Sequence, residues 1–151
     1  MDSELRELYQ EIILDHNKSP KNYGKPNEFN RDAEGYNPLC GDKVHVYIEE
    51  EDNVIKDVHF EGSGCAISKA SASVMTTLLK GKTRQEAQEM FDEFQNLITS
   101  ETNKEPDFEK LGKMAVFAGV REFPTRVKCA SLVWHTVIAA MKDDDNLVTT
   151  E

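Results

Sequence analysis

The sequence predicts one domain that combines helices with an antiparallel hairpin, and three observations carry that prediction. Val44, His45, Val46, Tyr47 and Ile48 alternate as a strand does, and a second strand runs from Val54 to Phe60 after the acidic turn Glu50 to Asn53. On both sides of the hairpin, apolar residues recur instead at three- and four-residue intervals, the spacing of a helix face. At 151 residues the chain suits a single core, and no apolar run approaches the roughly 20 residues needed to span a bilayer.

In chain order, the first helix is predicted from about Leu5 to His16. Leu5, Leu8, Tyr9, Ile12 and Ile13 form its stripe behind the caps Asp2 and Ser3, and Pro20, Tyr23-Gly24 and Pro26 end it. From there to Pro38 the chain is polar and turn-rich, with one short strand around Ala33 to Tyr36 and nothing that looks catalytic. After the hairpin, Ala66, Ile67, Ala70, Ala72, Val74, Leu78 and Leu79 make a helix of small residues stopped by Gly81. Thr83-Arg84-Gln85-Glu86 is a capping box that opens an amphipathic helix through Ala87, Met90, Phe91, Phe94, Leu97 and Ile98. A further helix is expected from Asp107 to about Ala118. The last begins with Pro124 and carries Ala130, Val133, Trp134, Val137, Ile138 and Met141. Residues 143–151, which include Asp143-Asp144-Asp145, are expected to form a frayed acidic tail to this single domain.

Eighteen basic residues against 28 acidic ones leave a net charge of −10, which speaks against nucleic acid or an anionic membrane as the main partner. The acidic first residues are unlike a signal peptide, so a cytoplasmic protein is expected. Three widely spaced cysteines, Cys40, Cys65 and Cys129, do not make a disulfide framework and are expected to be reduced. With no Cys-x-x-Cys pair, thioredoxin-like motifs and zinc ribbons drop out.

Each cysteine falls at a junction between elements. In extended backbone, Cys40 and Asp42 face the same way, and Gly41 between them leaves room for a metal or another protein's loop. Cys40, Asp42, Val44, Val46 and Ile48 share parity, so the pair should sit where the core-facing row runs out, provided no bulge intervenes. Cys65 follows Gly62-Ser63-Gly64 at the start of a helix, where free N–H groups and the helix dipole favour a thiolate; a buried cysteine in a tight turn fits the same residues. Cys129 lies in the opening turns of the last helix beside Lys128 and near Arg126. These two cations would offset part of the site's negative charge, or serve simply as exposed helix charges. Together Cys40, Asp42, Cys65 and Cys129 are four potential zinc ligands. His16, His45, His59 and His135 lack metal-like spacing and read as surface or satisfied, partly buried groups.

Several stretches resemble the IscU/SufU/NifU family of iron–sulfur cluster assembly proteins. They are Tyr9 to His16 with Lys18-Ser19-Pro20-Lys21-Asn22-Tyr23, Asn37-Pro38-Leu39-Cys40-Gly41-Asp42, Phe60 to Ser68, and Arg126-Val127-Lys128-Cys129-Ala130. The resemblance implies an α+β fold, a small antiparallel sheet of about three strands covered by helices, with a site of Cys40, Asp42, Cys65 and Cys129. It is closest to the SufU branch. IscU proteins carry histidine where this chain has Lys128, and their Leu-Pro-Pro-Val-Lys segment appears only as Phe123-Pro124-Thr125-Arg126-Val127-Lys128. The span from Cys65 to Cys129 is also longer by about a helix and a linker, as in SufU proteins.

What the resemblance implies is a zinc-dependent sulfur acceptor, a sulfurtransferase-like carrier acting with a pyridoxal-phosphate-dependent cysteine desulfurase of the SufS kind and with downstream iron–sulfur assembly proteins. Cys40 is the expected acceptor, because it lies on a loop while Cys65 and Cys129 are held at helix starts. Asp42, a hard ligand among soft ones, is expected to keep the metal exchangeable. The rivals are a scaffold for a labile 2Fe-2S cluster on the same four residues and a structural zinc domain without sulfur chemistry.

Overall fold

The structure, a computed structural model, describes residues 3–142 and 147–149. It is an α+β fold in which helices cover one face of a four-stranded sheet of order β3-β2-β1-β4. Helix α1 spans Ser3–Lys18, and three antiparallel strands follow, β1 (Arg31–Asn37), β2 (Asp42–Glu51) and β3 (Val54–Ser63). The expected hairpin is the β2–β3 pair. Its two-residue turn uses Asp52 and Asn53, both at left-handed φ (53° and 64°), which matches the twist of the paired strands. The short strand expected around Ala33 is β1, and it forms a second hairpin with β2 in which Asn37 faces Asp42 across the four-residue turn 38–41.

Parity holds where it matters for the core. Asp42, Val44, Val46 and Ile48 are buried on the helix-facing side, and the register shift in β2 falls at Glu49/Glu50, beyond that row. The alternation argument fails for Cys40, which lies in the turn rather than in a strand and is exposed.

Helix α2 (Ala66–Leu79) and helix α3 (Arg84–Thr99) match the predicted pair, and both bonds of the Thr83/Glu86 capping box are present. The helix expected from Asp107 to Ala118 is instead one turn of α-helix, α4 (Phe108–Leu111), followed by a 3-10 segment, Gly112–Glu122. Gly112 ends α4 with φ 55°, and Met114 to Ala118 are all buried, so no single apolar face dictates a 3.6-residue period. Helix α5 (Pro124–Met141) is the central strut: apolar almost all round, it packs on β1, β2 and α2, and Phe94 of α3 stacks on its Trp134 with ring centroids 4.8 Å apart. Of the expected frayed tail, residues 143–146 and 150–151 lie outside the described residues. Val148–Thr149 pair in parallel with Gly35 and Tyr36 as β4. No helix among the described residues is long and apolar enough to cross a membrane.

An ion cluster around the buried Glu50 ties the far end of the sheet to α3. The Glu50 side chain, 6% exposed, takes Arg31 at 2.5 Å and Arg84 through Nη2 at 2.9 Å. Arg84, above all, holds this carboxyl below the usual range, so its stabilisation is present at neutral pH and is lost as pH falls through the depressed value. Glu50→Gln is expected to cost about 1–2 kcal/mol at pH 7. In urea titrations the gap to the wild type should close on acidification, when the wild type loses the same charge.

Candidate metal and thiol site

The site forms where the β1–β2 turn, the end of β3 and the starts of α2 and α5 meet. Asp42, the first residue of β2, is fully buried, and Cys129, one turn into α5, is 2% exposed. Cys40 reaches them from the turn, with its Sγ 3.2 Å from that of Cys129. All three cysteines are free thiols. Ligand atoms of Cys40, Asp42 and Cys129 lie within 4.8 Å of one another, a group able to hold a metal ion. Cys65, the fourth predicted ligand, is not part of that group, though its Sγ lies 3.9 Å from Asp42 Oδ2.

Local structure explains each placement. Cys65 is the N-cap of α2, with extended backbone angles and a sulfur that accepts from the Ser68 N–H at 3.4 Å. Its own N–H donates to Asp42 Oδ1 at 2.8 Å, which joins β2 to α2. That approach requires Gly64, because a Cβ there would sit 2.3 Å from Asp42 Oδ1.

The surroundings of Cys65 oppose the stabilisation that a helix N-terminus gives a thiolate. Burial pushes the Cys65 thiol up and outweighs the Ser68 N–H that pulls it down, and the Asp42 carboxylate pushes the same way as burial. Cys129 is also driven up, first by burial and then by Cys40 and Asp42 beside it. The donor set nevertheless fits a soft divalent cation. Asp42 is a fully buried carboxylate with no ion pair among the described residues, placed between thiols that would share a metal with it.

Arg126 is exposed and its guanidinium lies 4.4 Å from the Phe123 ring centroid, while Lys128 is half-buried; neither hydrogen-bonds nor ion-pairs with the four candidate ligands. The histidines have other partners: Ser73 for His16, Asp32 and Glu34 for His45, Asp57 for His59, and the Phe91 ring for His135. A groove of about 670 Å³ beside Glu34, Tyr36, Lys43, His45 and Glu61 includes none of the cysteines.

One residue of the site is not evident as functional in the sequence. Asn37, fully buried at the end of β1, donates through Nδ2 to Asp42 Oδ2 (3.2 Å) and to Cys129 Sγ (3.5 Å). Its signal is the Asn-Pro pair, which marks a turn and says nothing of a neighbouring thiol.

Residues 8–130 match the NifU-like N terminal domain family. The chain is 35% identical over 144 residues to the iron–sulfur cluster assembly scaffold protein IscU of Streptococcus pyogenes, covering 95% of this chain and 89% of that protein. It is 37% identical over 130 residues to the zinc-dependent sulfurtransferase SufU of Bacillus subtilis, covering 86% of each. Among solved structures, a putative iron–sulfur cluster assembly scaffold protein for the SUF system from Fervidobacterium islandicum superposes with a TM-score of 0.80 at 41% identity. That match covers 93% of this chain and 99% of the other.

Proposed function

Because the chain belongs to the NifU-like N-terminal domain family, we propose that it is a zinc-dependent sulfur acceptor for iron–sulfur cluster assembly, receiving persulfide sulfur on Cys40 from a SufS-like cysteine desulfurase. The observation that carries this reading is an asymmetry. Asp42 and Cys129 are buried, Cys65 is half-buried on regular structure, and Cys40 alone of the four is exposed, on a turn. Leu39 beside it is 60% exposed and offers a donor protein an apolar contact.

Zinc on Cys40, Asp42, Cys65 and Cys129 would favour the thiolate forms, including those of Cys65 and Cys129, whose thiols burial pushes up. In the transfer, Cys40 Sγ attacks the terminal sulfur of the donor's persulfide. A new S–S bond forms on Cys40, the donor's S–S bond breaks, and the donor cysteine leaves as a thiolate, so no external oxidant or reductant is needed. The departure of the 123–128 segment from the IscU pattern, with Lys128 where IscU proteins carry histidine, and the longer span from Cys65 to Cys129 support the acceptor over the scaffold. The IscU-named relative supports the second reading, a scaffold for a labile 2Fe-2S cluster on the same ligands.

Mixing the purified protein with a cysteine desulfurase and free cysteine tests this. Faster desulfurase turnover, an alkylation-trapped persulfide on Cys40 and about one zinc per chain are expected. Zinc with no change in turnover would leave a structural zinc domain. A reconstituted cluster that transfers intact to an apo-protein, with no label on Cys40, would establish the scaffold instead.

A further inference from the structure

We infer that Asn37 is a positioning residue that couples the turn carrying Cys40 to the two buried ligand candidates, and so sets how tightly the site holds its metal. The inference rests on reading Cys40, Asp42 and Cys129 as metal ligands and concerns a residue that ligates nothing itself.

The two ends of the Asn37 carboxamide do different work. Oδ1 accepts the Leu39 N–H at 3.3 Å, and the residue's own carbonyl accepts the Gly41 N–H at 2.9 Å, so Asn37 closes the turn on which Cys40 sits. Nδ2 points the other way, into the site, toward Asp42 Oδ2 and Cys129 Sγ. A turn asparagine needs only the first set of bonds and normally sits at the surface; this one is fully buried.

The chemistry suits a metal centre. An amide has two N–H donors, and here two acceptors await them, a carboxylate oxygen and a sulfur that both carry negative charge as metal ligands. The amide stabilises those anions without adding a positive charge that would compete with the metal. Donation also fixes the direction of each ligand's lone pairs, which is what an outer contact does for a metal ligand. Nδ2 makes no such bond to Cys40, whose sulfur meets that of Cys129 instead. Asn37 therefore holds Asp42 and Cys129 in place as ligands and leaves Cys40 as the one free to react.

Zinc affinity by competition with a chromophoric chelator, beside thermal unfolding of the metal-free protein, tests this. Asn37→Asp keeps the size and the turn-closing acceptor and removes the donor. Asn37→Ala, small and neutral, removes the donor without adding charge. Both are expected to weaken zinc binding by roughly 10- to 100-fold while the metal-free forms still unfold cooperatively. Affinity within about twofold of wild type in either folded variant overturns the inference, as does failure of both variants to fold, which would make Asn37 a residue of the fold alone. If the wild type binds no zinc in the same titration, the metal reading itself fails and the inference with it; a wild type that binds and variants that bind equally well defeat the inference only.

Discussion

Cys40→Ala is expected to abolish persulfide acceptance, a loss of at least roughly 100-fold in labelled protein per desulfurase turnover, without unfolding the protein. The thiol removed is exposed and sits on a turn, and surface truncations of that kind change stability by no more than about 0.5 kcal/mol. Cys129→Ala is the contrasting case. Its sulfur is buried between Asn37 and Cys40, so truncation strands an Asn37 N–H and should cost about 1–3 kcal/mol. Alkylation with mass-spectrometric mapping reads the first effect and urea midpoints read both. A Cys40→Ala protein that still collects sulfur at the wild-type rate would move the acceptor to another cysteine.

Gly64→Ala should be the most damaging small substitution near the site. Two costs add: φ is +152°, which L residues seldom adopt, and the new Cβ would lie 2.3 Å from Asp42 Oδ1 and 3.0 Å from Asp42 Cα. Oδ1 is also the atom that accepts the Cys65 N–H, so the methyl group breaks the link between β2 and α2 at its acceptor. A stability loss of about 2–4 kcal/mol is expected, together with loss of stoichiometric zinc. Gly81→Ala isolates the backbone part. Gly81 has φ +85° with nothing within 4 Å of a built Cβ, so it should cost about 1 kcal/mol and leave zinc content unchanged. Equal zinc in both variants would show that Gly64 does not position Asp42.

The elements that periodicity describes well were legible in the sequence. The capping box of α3, Pro124 at the head of α5 and the β2–β3 hairpin each follow from local chemistry that tertiary packing did not override, whereas of the stripe expected in α1 only Ile13 is buried and Leu8 is 50% exposed. The 3-10 segment Gly112–Glu122 was not legible, because its residues are buried by neighbours on several sides. The grouping of Cys40 with Asp42 was anticipated on a mistaken geometry. Strand alternation does not extend through a turn, and Cys40 meets Cys129 because the strand expected around Ala33 pairs with β2, so that Asn37 faces Asp42 and Cys40 lies in the turn between them. The role of Asn37 is hidden in the sequence because one of the two groups its amide donates to lies on α5, which starts 87 residues later in the chain.

The bond from the Cys65 N–H to Asp42 has a consequence for how the site is filled. Small zinc modules are unfolded until the ion arrives, because nothing else draws their ligands together. Here the three ligand-bearing elements are already fastened, β2 to α2 through Asp42 and Cys65, and β1 and β2 to α5 through a core in which Trp134, Val46 and Ile48 are fully buried. The polypeptide's own bonds therefore bring the candidate ligands together, and a metal would add to a frame that packing already holds.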